Sequence, residues 1–285
     1  MAQYFSFKRL ADMTALSLTE NRKKVLMQVL VMAAIIIGFI LFMTLMNIGT
    51  YGSQPYYHVT PDKFEFDPLW NSVLIPMYVM SIFGFSALSA SLSMEWMSTP
   101  NRRLNTLMIP ATQLEKYMAR WIIYVFGFFI VFNIVFLFAD YLRVITTPVI
   151  ARINYIECVS KPKPLLSWVD YAFSHESNFR DRGVIWMLIS MLLAFQSLFV
   201  LGSSIWPRNS FIKSAAISTV LILVFIFTGV YFVENIFEYG KYNYPRADYF
   251  GEHFGIMAAI FMGITLFNWA LAYFRFKESE ITQRW

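Results

Sequence analysis

An all-α, polytopic membrane protein with six transmembrane helices is the fold this sequence predicts, on three observations. Hydrophobic residues make up 58% of the chain and charged ones only 14%, where a soluble domain carries about a quarter charged residues. The apolar residues are gathered into runs of about 20, the length at which a helix crosses hydrocarbon with every backbone group paired. Basic residues are spread unevenly over the segments between those runs, as they are in chains of fixed membrane orientation.

Residues 1–24 form a polar lead-in carrying Lys8, Arg9, Arg22, Lys23 and Lys24. Phe7, Leu10, Ala11, Thr14 and Leu18 fall on a helical stripe, which predicts an amphipathic helix lying at the membrane surface. Ser17-x-x-Glu20 reads as a capping box opening a second helix. The membrane domain then covers 25–274, with its first span at 25–46. That run is too long for a secretory signal and has no small-residue cleavage site, so it is expected to stay. A loop with Asp62, Glu65 and Asp67 follows, and the second span covers 72–94. Its latter half is rich in small residues, among them Gly84, Ala87, Ala90 and Ser91. Such residues let helix backbones approach closely in lipid, so this face is assigned to packing.

Between the second and third spans the chain reads SMEWMSTPNRRLNTLMIPATQLEKYMARW. Thr99-Pro100 has the form of a helix start, and Leu104, Leu107 and Met108 share one face. Pro110 forces Ile109 out of helical geometry and ends the segment. Thr112-x-x-Glu115 is a second capping box, from which Leu114, Tyr117, Met118 and Trp121 line a face running into the third span, 121–139. A polar segment, 140–183, precedes the fourth span at 184–205. After a short turn with Arg208 and Lys213 comes the fifth span, 215–233, then an aromatic-rich loop, the sixth span at 254–274, and a charged tail, 275–285.

With six spans, one side of the membrane receives fourteen Lys and Arg and six Asp and Glu, the other nine and twelve. Both termini and the 93–121 stretch are therefore expected in the cytoplasm. The net charge of +5 belongs to this flanking pattern, and no nucleic acid partner is expected.

Motifs that carry chemistry are missing. No P-loop spacing occurs, so nucleotide binding by that route is excluded. His58, His175 and His253 lie in separate loops without metal-ligand spacing, and the single Cys158 has no intrachain partner. No nucleophile has a recognisable base beside it. The expectation is a protein that is not an enzyme, with no catalytic residue, metal or cofactor of its own. Within the spans the polar residues are uncharged, notably Asn133, Gln196 and Asn268. They either bond between helices, at about 1 kcal/mol each, or line a pathway. The lack of ionisable groups at depth argues against a proton-driven carrier.

The order of features resembles the membrane subunit of bacterial ABC-2-type exporters. Glu95 closes span two, a basic stretch follows, then Leu107-Met108-Ile109-Pro110-Ala111-Thr112, Glu115-Lys116 and Arg120. A weaker match is Leu201-Gly202-Ser203 with Phe211-Ile212-Lys213, and the Thr99-Pro100-Asn101 start departs from the family's pattern. The resemblance implies an inner-membrane permease that pairs with a second, identical or different, permease subunit in the bilayer. It also implies a separately encoded ATPase, which binds ATP and magnesium. Glu95, Arg102, Arg103, Leu104, Leu107, Met108, Pro110 and Glu115 would then form the coupling site. The rival readings are an ATPase-independent channel or carrier, and a membrane scaffold that moves no solute.

Overall fold

The computed structural model describes residues 5–52, 67–99, 108–153, 164, 179–235 and 254–282. Within them the chain is mostly helical, without a strand. The helices are α1 (Phe7–Glu20), α2 (Arg22–Gly52), α3 (Asp67–Ser91), α4 (Gln113–Trp121), α5 (Phe128–Ile153), α6 (Phe179–Ile205), α7 (Ser210–Asn235) and α8 (Phe254–Thr282). A 3₁₀ turn, Glu95–Met97, follows α3, and one stretch of wider π-helix, Ile122–Gly127, joins α4 to α5. Among the described residues, five segments are long and apolar enough to cross a membrane: Arg22–Met46, Leu74–Met97, Gln113–Ile150, Ile185–Ile205 and Phe254–Glu278. In α7 the apolar stretch found is shorter, Ser210–Val224.

Two compact units divide the chain. One comprises Leu18–Phe85 and Gly127–Glu176. In it Met32, Ile36, Ile40 and Thr44 recur at four-residue spacing and form the buried stripe of α2. Phe132, Phe136 and Ala139 do the same for α5. Tyr78 on α3 lies edge-on to Phe136, at 4.9 Å between ring centroids, and its hydroxyl donates to Asn133 Oδ1 at 2.9 Å. The opposite faces of these helices present Leu26, Met27, Leu30, Ile130 and Ile134 outward. Apolar residues all round, with one stripe buried, are what a helix between protein and lipid requires.

The other unit comprises Met1–Ser17, Ser86–Phe126 and Ser177–Trp285. Here α6 and α8 pack together, Asn268 Nδ2 donating to Ser197 Oγ at 2.9 Å. Asn209, in the turn from α6 to α7, has a φ of 56°, a left-handed conformation that asparagine tolerates better than most residues. Across that hairpin Gly202 faces Ser214 so closely that an added Cβ would lie 2.0 Å from Ser214 Oγ. Ser93 and Ser203 hydroxyls share a hydrogen bond of 2.8 Å, tying the turn after α3 to α6.

Several boundaries differ from the sequence expectation. The third span does not end at residue 139: α5 continues to Ile153. Asp140 and Arg143, expected in a loop, lie on its buried face, where Asp140 Oδ1 accepts from Arg143 Nε and Nη2, each at 2.8 Å. Acid and base one turn apart thus pair with each other on the helix that continues past the expected end of the span. The other helices also start before or run past their expected spans, although α3 stops at Ser91, short of residue 94, and α8 takes in most of the presumed tail. The break expected at Ser17 falls at Asn21 instead, and Ser17 is buried inside α1. On α1 the buried face is Leu10, Met13 and Ser17, whereas Phe7 and Leu18 are exposed.

Candidate functional site

The site is built around α4 and the helix that rests on it. The Thr112 capping box forms as its spacing predicts: Glu115 N–H donates to Thr112 Oγ1 at 3.3 Å, and Thr112 N–H donates to Glu115 Oε2 at 2.8 Å. Glu115 does more than cap. Its other oxygen, Oε1, accepts from the Ser6 backbone N–H at 2.7 Å and pairs with Arg9 Nη2 at 3.3 Å. One fully buried carboxylate thus fastens the start of α1 to the start of α4. Beneath the latch Leu10 and Met13 of α1 pack with Ala119, flanked by Ile109, Ala111, Met118 and Ile122. Leu10 and Met13 are in this way covered by protein, while Phe7, Leu16 and Leu18 of α1 stay exposed.

The buried face of α4 consists of Glu115, Lys116, Tyr117 and Ala119, while Leu114, placed with the apolar face by spacing, is exposed. Docking against α1 on one side and α8 on the other selects these positions over a simple apolar stripe. Tyr117 hydroxyl donates to the Trp269 carbonyl at 3.1 Å, and its ring contacts Tyr273 and Phe276. Trp121 meets Trp269 edge-on at 4.7 Å between centroids. Phe276 also contacts Trp96 of the 3₁₀ turn, and the Arg120 guanidinium stands over the Trp96 ring. In the π-helical stretch the Tyr124 carbonyl accepts from Ser89 Oγ at 2.8 Å. Wider turns of this kind release carbonyls from the helix ladder and often mark working parts of a protein.

Of the residues assigned to coupling, Glu115 is the centre of the latch and Glu95 is half-buried in the 3₁₀ turn. Met108 is 81% exposed and Pro110 is exposed. Arg102, Arg103, Leu104 and Leu107, with the helix start at Pro100, lie outside the described residues. Of the intramembrane amides, Asn133 accepts from Tyr78 and donates to the Phe129 carbonyl. Asn268 bonds Ser197, whereas Gln196 is fully buried and its amide has no partner among the described residues. Among the packing residues Ala87, Ala90 and Ser91 are buried. Gly84 is not a close-approach position: it is exposed, and a Cβ there would meet nothing within 4 Å.

Sequence reasoning missed Arg9 and Ser6, which reach Glu115 from more than a hundred residues away. It also missed the Arg120 guanidinium over the Trp96 ring. No three metal-ligating side chains cluster among the described residues. Compared with known proteins, the chain matches no family model, no curated protein and no solved structure.

Proposed function

We propose that this chain is the permease subunit of an ABC-2-type exporter in the bacterial inner membrane, with both termini in the cytoplasm. In this reading α7 is the fifth of six spans and α1 is an interfacial helix. The stretch between Ser98 and Thr112 carries the coupling site that a separate ATPase, binding ATP and magnesium, grips. A second permease copy completes the pathway.

The observation that supports this reading best is the Glu115 latch. Capping, ion pair and apolar contact join α1 and α4 at the point where the chain enters a span. Force applied to an exposed segment immediately before α4 would pass into that span instead of being absorbed by a loose linker. Met108 and Pro110, both exposed, lie at the edge of such a handle.

The test is direct. Reversing the charge of Arg102 and Arg103 together with Leu107→Asp should abolish partner-stimulated ATP hydrolysis while the protein stays in the membrane. Undiminished stimulation in that variant, or solute flux through vesicles lacking any ATPase, would overturn the assignment.

A further inference from the structure

The apolar arc of α1 is wider than the protein surface that covers it. Leu10, Met13 and Ser17 are buried, the first two against Ala119 of α4. At about 100° per residue, Phe7, Ala11 and Leu18 form a second stripe, within about 40° of one another and about 110° round from the first. All three are exposed, Phe7 to 79%, and Phe5 lies edge-on to the Phe7 ring at 5.0 Å between centroids. Lys8, also exposed, borders this stripe on the side away from the covered face. From Lys8 to Lys24 the chain carries five basic residues against two acidic ones, Asp12 and Glu20. Both ends of α1 are fixed. Its start is held by Glu115, near the beginning of the Gln113–Ile150 segment. At its other end only Asn21 separates it from α2 and the Arg22–Met46 segment.

We propose that this second stripe docks on an anionic lipid surface, with Phe7, Ala11 and Leu18 at the acyl boundary and Lys8 among the headgroup phosphates. With Arg22–Met46 crossing the membrane and Leu74–Met97 returning, Gln113–Ile150 starts from the side where Arg22–Met46 starts. The 14 residues of α1, about 21 Å long, are thus fastened at both ends to points where the chain enters the bilayer. A helix held in that way lies along the surface. Its open stripe then settles at the boundary between headgroups and acyl chains, and each Lys or Arg beside anionic lipid adds to the binding. Arg22, Lys23 and Lys24, exposed in the first turn of α2, supply more of that charge at headgroup level. The single stripe expected from sequence is therefore divided, one half for α4 and the other for lipid. The inference rests on α1 being interfacial, as proposed above, and needs no ATPase.

The test uses the full-length protein in nanodiscs of phosphatidylcholine and phosphatidylglycerol in equal parts, with a fluorescent label on Ala11→Cys in a Cys158→Ser background. A nitroxide quencher is placed near the top of the acyl chain of one lipid or of the other. Quenching from phosphatidylglycerol should be about threefold or more stronger than from phosphatidylcholine. A label on Asp12→Cys, beyond Lys8 on the polar side, should be quenched less by both. Lys8→Gln, Lys23→Gln and Lys24→Gln together should equalise the two lipids, as should about 1 M salt, which screens charges beyond about 3 Å. Should the triple variant fail to insert, the salt arm decides, and a preference that survives it overturns the proposal. Equal quenching by the two lipids without added salt overturns the anionic partner while leaving α1 interfacial. No quenching by either, the result if a second copy covered the stripe, overturns both the proposal and the interfacial reading.

Discussion

Individual side chains at the latch carry unequal shares of it. The Glu115 carboxylate serves three donors, two of them backbone N–H groups just ahead of separate helices. Glu115→Ala should therefore destabilise the protein by about 2–3 kcal/mol, from a lost cap and lost charge-assisted hydrogen bonds. It should also open the first ten residues to limited proteolysis. Arg9 is 35% exposed, so Arg9→Gln should cost less than about 1 kcal/mol and leave α1 in place. Equal losses in the two variants, measured by thermal unfolding in detergent, would refute this division. For the buried Asp140–Arg143 pair, Asp140→Asn should cost about 3–5 kcal/mol, and replacing both residues by leucine should cost less. The Thr112–Glu115 box was legible because both partners lie within four positions. The Arg9 contact was not, because nothing in either local pattern says which distant helix end will meet it.

Helix faces and helix ends separate what patterning reveals from what packing decides. Small residues on α3 announced close approach, and the structure confines it to part of the run. Ala90→Leu should destabilise by about 1–3 kcal/mol through overpacking, whereas Gly84→Ala, with open space around it, should be neutral or stabilising. At the α6–α7 hairpin Gly202→Ala should cost about 1–3 kcal/mol, since its methyl would collide with Ser214. Ser214→Gly should relieve much of that loss, and a melting-temperature series would show it. The end of α5 was misread for a definite reason. Charge in a sequence signals a loop, but Asp140 and Arg143 stand one turn apart and cancel. The true face continues through Thr147, whose hydroxyl bonds back to the Arg143 carbonyl.

Across the molecule, the positions of the long apolar helices were readable from composition and run length alone, because lipid imposes that length on any spanning segment. Side chains that join helices far apart in sequence were not readable, since burial in such a protein is decided by neighbours and not by hydropathy. The orientation of the chain is open to one measurement. A cysteine placed at Asn105 in a Cys158→Ser background should react with membrane-permeant maleimide and resist the impermeant reagent in intact cells. Labelling by the impermeant reagent would invert the topology. The extra length of α5 has a last consequence. Its 26 residues rise about 39 Å, against about 30 Å of acyl chain. A helix with that surplus has to lean across the oil, bend, or carry part of its length into the headgroup layer.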